Sequence, residues 1–130
     1  MTAQDTPRSK FRGLRRLLII HGLITLAASI VLTIAPGAIP GIVGIHLEPG
    51  SYLVAYLLAA AEFGFAVLSF GGSRLNDPQA LRLVAWSCIA FHASSGVLAL
   101  YAYPQNNNGL ILVNVAARAV IVALFAFLSR

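Results

Sequence analysis

Four long apolar runs constrain the fold of this chain more than any other feature of its sequence. They cover about residues 14–35, 52–70, 81–103 and 110–128, and short segments rich in Pro, Gly and polar residues separate them. About 20 apolar residues in a helix cross the roughly 30 Å of hydrocarbon in a bilayer. The sequence therefore predicts an all-α protein, a four-helix transmembrane bundle.

The composition excludes several other classes of protein. Hydrophobic residues make up 58% of the chain and charged residues only 10%, whereas a soluble domain has about 25% charged residues. A soluble enzyme and a disordered chain are therefore excluded. Cys88 is the one cysteine, which excludes a disulfide scaffold. A cleaved signal peptide is disfavoured because the first run is long and three more follow it.

The chain is expected to contain a basic cytoplasmic tail at 1–13 and one membrane domain at 14–130. The segment 36–50 is interrupted by Pro and Gly, and we expect a short interfacial helix around 42–47 within it. The second and third connections are only about ten and six residues long. Such short connections predict that the helices they join are antiparallel neighbours.

The basic residues predict the topology. Of the nine basic residues, all except Arg118 precede the first run, flank the second connection or end the chain. These eight are Arg8, Lys10, Arg12, Arg15, Arg16, Arg74, Arg82 and Arg130, while Arg118 lies inside the fourth run. The loops 36–50 and 104–109 contain neither Lys nor Arg. The positive-inside rule then places both termini in the cytoplasm of a multi-pass protein of the bacterial inner membrane. The net charge of +5 is explained by its role as a topology signal. Alternatively, the basic residues near the N-terminus bind anionic lipid. Binding to nucleic acid is not expected.

Four titratable residues lie inside the apolar runs: His21, Glu62, His92 and Arg118. Such residues are costly in a membrane and indicate a functional site. The last three are at the midpoints of their runs, so we expect them at one depth, with His21 about 5–6 Å nearer the cytoplasm. Small residues share the helix faces of Glu62 and His92, which predicts that these faces point into the bundle. Asn114 is four residues before Arg118 and shares its face.

This cluster has several interpretations. In the first, Glu62 and Arg118 form a structural ion pair, with His92 and Asn114 as hydrogen-bond partners. In the second, the cluster is the polar floor of a ligand cavity. As a catalytic site, Glu62 and His92 would move protons, while Arg118 tunes their pKa values or binds an anion. A metal site lacks a third ligand at this depth, and a haem between His21 and His92 is disfavoured by their different depths. We predict no cofactor.

The stretch Ala61–Trp86 reads AEFGFAVLSFGGSRLNDPQALRLVAW. A Glu within a helix, a Gly pair at its end, and an Arg in a short polar turn resemble the DoxX-like family of small four-helix bacterial membrane proteins. The resemblance implies that Glu62 and Arg74 are characteristic residues. It also implies a link to larger membrane oxidoreductase assemblies and stress responses. The Pro-rich loop 36–50 and Arg118 depart from the family pattern.

Two functions follow. The first is an accessory or interaction subunit of a membrane complex, or a homo-oligomer, because short loops leave little soluble surface for independent chemistry. The alternative is a membrane-embedded enzyme or binder of a lipophilic small molecule. An isomerase, cyclase or epoxide-opening reaction would use Glu62 and His92 as acid and base.

Overall fold

The structure, a computed structural model, describes residues 10–130. It contains five α-helices, with a single 3-10 turn before the third: α1 (Arg12–Ile34), α2 (Ala38–Ile42), α3 (Tyr52–Gly72), α4 (Pro78–Asn106) and α5 (Gly109–Leu128). Four of them, all except α2, are long and apolar enough to cross a membrane. The described chain has no β-strand. The prediction of an all-helical, multi-pass membrane protein is confirmed, while residues 1–9 of the predicted tail lie outside the described residues.

Helix α4 is longer than the sequence predicted at both ends. It begins at Pro78, because the Asp77 carboxylate accepts hydrogen bonds from the backbone N–H groups two and three residues later, at 3.0 and 3.3 Å. A proline is well tolerated in the first turn of a helix, where its missing N–H has no partner anyway. The helix continues through Pro104 to Asn106. It ends where Asn107 adopts a left-handed conformation with φ of 45°.

The loop 36–50 holds its short helix earlier than expected, at Ala38–Ile42 rather than at 42–47. Gly44 has a φ of +79°, in the left-handed region that glycine adopts without strain. A Cβ atom at Gly44 would lie 2.7 Å from Nδ2 of Asn108. The loop therefore packs directly on the connection between α4 and α5. We call this end of the bundle the loop end.

The four long helices form two pairs. Helix α1 packs mainly on α3, and α4 packs mainly on α5, with fewer contacts between the pairs. The pairs meet at the opposite end in a core that contains the fully buried Leu14, Leu18 and Phe125. The backbone of α3 closely approaches α4 there, since a Cβ atom at Gly72 would lie 2.7 Å from Cγ1 of Val84.

This second end carries arginines that bind the C-termini of helices, and we call it the basic end. Arg15 donates from Nη1 to the backbone oxygen of Ser73 after α3, at 3.3 Å. Arg82 donates from Nε to the backbone oxygen of Ser129 after α5, at 3.1 Å. The C-terminus of a helix carries partial negative charge and unpaired carbonyl groups, so both contacts are favourable. They tie α1 to α3 and α4 to α5.

The outer faces of the helices are apolar. Large aliphatic and aromatic side chains are exposed along all four long helices, among them Ile34, Leu53, Leu83 and Phe127. In water such a surface would aggregate, whereas hydrocarbon lipid tails suit it. Polar side chains in the middle of the long helices lie instead in the space between the two helix pairs.

Candidate functional site

A cavity of 270 Å³ lies between the two helix pairs, and each long helix contributes one titratable side chain to it. These are His21 from α1, Glu62 from α3, His92 from α4 and Arg118 from α5. Asn114 also lines the cavity. The remaining walls are mainly apolar and include Leu32, Leu58 and Ile121.

The two histidines bond each other directly. Their Nε2 atoms are 2.8 Å apart, and the rings meet edge to face with an interplanar angle of 82°. The offset in depth expected between His21 and His92 therefore does not keep their side chains apart. Helix α1 begins at Arg12 and has its midpoint near residue 23, so His21 lies only about 3 Å from that midpoint. The imidazole rings span the remaining distance.

Arg118 is held on two sides. Its Nε donates to Oδ1 of Asn114 at 2.8 Å, as residues four apart on one helix face can do. Its Nη1 lies 3.4 Å from Nδ1 of His92. The guanidinium carbon is 5.9 Å from the centre of the Phe91 ring, within the range of a cation–π interaction.

Glu62 is buried, with 9% of its surface exposed, yet its carboxylate has no hydrogen-bond partner among residues 10–130. The carboxylate oxygens are not enclosed by protein either, so they face the cavity that Glu62 lines. The ion pair between Glu62 and Arg118 that the sequence suggested is absent as a direct contact within the described chain. The reason is that Arg118 directs Nε and Nη1 to Asn114 and His92 instead.

The hydrogen bonds along the cluster have one direction. A guanidinium only donates, so Nδ1 of His92 accepts from Arg118. A neutral His92 then carries its proton on Nε2 and donates it to Nε2 of His21. His21 in turn carries its proton on Nδ1, which lies 2.8 Å from Oγ of Ser69. Both imidazoles are neutral in this arrangement, and every ring nitrogen has a protein partner.

This arrangement changes the roles of the sequence-predicted residues. His92 has no free ring nitrogen with which to act on a molecule in the cavity, although the sequence suggested it as an acid or base. Glu62 retains that capacity, because its carboxylate is free. Arg118 and Asn114 retain donors, since the Nη2 atom of the guanidinium and the Nδ2 atom of the amide make no hydrogen bond within residues 10–130.

Sequence reasoning missed two polar residues of the site. Ser69 is fully buried and accepts from His21, whereas in the sequence it is only one of the small residues on the helix face of Glu62. Thr25 lines the cavity and donates to the backbone oxygen of His21 at 3.0 Å. Thr25 is four positions after His21, and Ser69 is seven positions after Glu62, so each shares a helix face with a titratable residue. This spacing was the signal available in the sequence.

A second cavity, of 350 Å³, lies along α4 and α5. His92 and Arg118 line it as well, so these two side chains separate the two cavities. Its other residues are small or apolar, including Ala93, Gly96 and Ala119. Within the described chain, no group of three or more His, Cys, Asp or Glu residues is placed to hold a metal ion.

Comparisons with protein-family models, with curated proteins and with solved structures find no match for this chain. The resemblance of Ala61–Trp86 to the DoxX-like family therefore stays a prediction. The chemistry of the site has to be argued from its own geometry. The directed hydrogen bonds, the free carboxylate and the apolar walls provide that geometry.

Proposed function

We propose that this chain binds a lipophilic small molecule in the cavity at the middle of its membrane domain. The observation that carries the proposal is the Glu62 carboxylate, which is buried, has no partner within residues 10–130 and faces a cavity. A polar group without a hydrogen bond is costly in an apolar environment. A bound molecule that pairs with Glu62 would remove this cost.

The shape of the cavity supports a ligand that comes from the bilayer. Small-molecule sites are usually apolar concavities with a few convergent polar groups, and this cavity has that composition. Three residues that line it, Ile20, Ile24 and Ala117, are also exposed on the outer surface of α1 and α5. The cavity thus opens sideways between these helices, at a surface that lipid would cover.

A second candidate function is that of an accessory subunit of a membrane complex or of a homo-oligomer. Helix α5 favours it, because only Ile111 and Phe125 are buried along its length. The resemblance to the DoxX-like family supports the same candidate. A membrane-embedded acid/base enzyme is also compatible with the proposed binding site, and its proton transfer would depend on Glu62.

The proposed location is the bacterial inner membrane, with both termini in the cytoplasm. The arginines of the basic end support this orientation, as does the absence of Lys and Arg from the loops 36–50 and 104–109. In a Cys88→Ala background, we expect a cysteine at Asn107 to react with a membrane-impermeant maleimide added outside intact cells. A cysteine at Asn76 is the matched control and should react only after lysis. The reverse pattern would overturn the topology.

Native mass spectrometry on protein extracted gently from its own membranes tests the binding function. We expect the 13.7 kDa chain to carry a small organic mass. Glu62→Leu should lose this mass, whereas Glu48→Leu, a change of the same type at an exposed loop position, should retain it. Association with other polypeptides and no small mass would favour the accessory subunit. A bare chain in both variants and in the wild type would overturn binding.

A further inference from the structure

We infer that the ligand is a neutral lipophile whose polar end is a hydroxyl group, held between Glu62 and Arg118. This inference rests on the proposed binding function and narrows it to one class of molecule. It is carried by three properties of the cavity: its charge, its unused donors and acceptors, and its volume.

The charge of the cavity favours a neutral ligand. When Glu62 is ionised, the cavity contains one carboxylate and one guanidinium, on Arg118, and the direction of the hydrogen bonds makes both histidines neutral. The two opposite charges balance each other across the cavity. A charged ligand would add a net charge in the middle of the membrane, where it is costly. A cationic amine would be attracted by Glu62 but repelled by Arg118, and an anionic carboxylate the reverse, so for both the attraction and the repulsion largely cancel while the net charge remains.

The unused polar groups favour a hydroxyl in particular. Glu62 offers only acceptors when ionised, and the unpartnered nitrogens of Arg118 and Asn114 offer only donors. The ligand therefore needs one donor for Glu62 and one acceptor for the α5 side. A hydroxyl is the smallest neutral group that provides both. A ketone or an ether would accept from Arg118 but would leave the Glu62 carboxylate without a partner.

The volume limits how much of the ligand is enclosed. A group the size of a water molecule takes up about 30 Å³, so 270 Å³ holds a hydroxyl and roughly eight carbon atoms. Any longer part of the molecule would leave through the lateral opening at Ile20, Ile24 and Ala117 and lie among lipid tails. The ligand class is therefore a long-chain or isoprenoid-like alcohol, bound with its polar end inward.

Photolabelling of the protein in lipid nanodiscs tests the inference. Three probes share a ten-carbon chain with a diazirine and differ only at one end, which is an alcohol, a primary amine or a carboxylic acid. Labelled residues are located by peptide mass spectrometry. We expect the alcohol to label cavity residues of α1 and α5 and to be displaced by unlabelled 1-decanol. The amine and the acid should label these residues at least ten-fold less.

Substitutions at Glu62 separate hydrogen bonding from charge. Glu62→Leu should reduce cavity labelling by the alcohol about ten-fold or more, as expected when a hydrogen bond to a charged group is lost. Glu62→Gln should keep most of it, because the amide oxygen still accepts. Glu48→Leu is the matched control and should change nothing. If Glu62→Leu fails to fold, as judged by circular dichroism, Leu58→Trp fills the cavity and should abolish labelling without removing a polar group.

The outcomes distinguish this inference from the function on which it rests. Preferential labelling of the cavity by the amine or the acid would overturn the hydroxyl assignment and leave the binding function standing. Equal labelling by all three probes would also overturn it, since the polar end would then not be recognised. Absence of cavity labelling by any probe would overturn both.

Discussion

The hydrogen bond between His21 and His92 joins the two helix pairs at the middle of the membrane domain, and its removal should weaken the bundle. We consider His21→Phe, His92→Phe and the double variant. Phenylalanine keeps a planar ring close in size to imidazole, so each change removes mainly the nitrogens. The two residues bond each other at 2.8 Å in a buried position, which makes the effects of the two changes interdependent.

The expected magnitudes follow from the partners that each change leaves behind. His92→Phe leaves Nε2 of His21 without a donor and Nη1 of Arg118 without an acceptor. An unsatisfied buried polar group costs about 1–3 kcal/mol. Because the partly buried Arg118 keeps its bond to Asn114, the orphaned imidazole nitrogen should dominate, and each single variant should lose about that much free energy of unfolding. The double variant should lose less than the sum of the two. Polar contacts between membrane helices give coupling energies of about 0.6 kcal/mol on average and up to about 1.7 kcal/mol, and we expect a value in this range.

Unfolding by SDS in mixed micelles measures these free energies. Circular dichroism reports helix content, and fluorescence reports Trp86, the one tryptophan of the chain. Ser94→Ala on α4 is the control, because its exposed hydroxyl bonds only the backbone of its own helix. It should change the free energy of unfolding by less than about 0.5 kcal/mol.

Additive effects of His21→Phe and His92→Phe would contradict this reasoning. If the loss in the double variant equals the sum of the single losses within about 0.3–0.5 kcal/mol, the two rings do not interact. The direction assigned to the hydrogen bonds would then be wrong as well, because it passes through this contact.

Two further predictions concern helix packing and helix ends. Gly72→Ala should lower the free energy of unfolding by about 1–3 kcal/mol, because its Cβ atom would meet the stiff side chain of Val84 at 2.7 Å. Gly64→Ala is the control, since the space around Gly64 is open, and it should be neutral or stabilising. The SDS midpoints of both variants check this prediction. Asp77→Ala should cost about 1 kcal/mol by removing the N-cap of α4, whereas Asn76→Ala next to it should leave the thermal midpoint unchanged; equal midpoints for these two variants would exclude a capping role.

The long helices were predictable because the length of an apolar run alone decides whether a helix can cross a membrane. Their ends were less predictable, because local hydrogen bonds set them. The Asp77 cap moves the start of α4 to Pro78, and Pro104 does not end the helix, since it lies in its last turn. In the loop 36–50, Gly44 has a positive φ and lies close to Asn108, and no periodicity of the sequence reveals such features.

In the site, the sequence predicted a contact within one helix but not the contacts between helices. The contact between Asn114 and Arg118 follows from spacing on one helix, so the sequence predicted that they share a face. Partners on different helices depend on which helices are neighbours and how each is rotated. For this reason the sequence paired Glu62 with Arg118, whereas the structure directs Arg118 to His92 and leaves the carboxylate free.

The direction of the hydrogen bonds has a consequence for the movement of protons through the bundle. Proton conduction along such a chain requires every member to take up a proton and release one, and the guanidinium of Arg118 does not give up its proton in proteins. Conduction therefore stops at Arg118. Towards the basic end, Phe125 covers His21 edge to face at 5.4 Å, above the buried Leu14 and Leu18. The hydrogen-bonded chain from Arg118 through His92 to His21 is thus not a continuous proton wire.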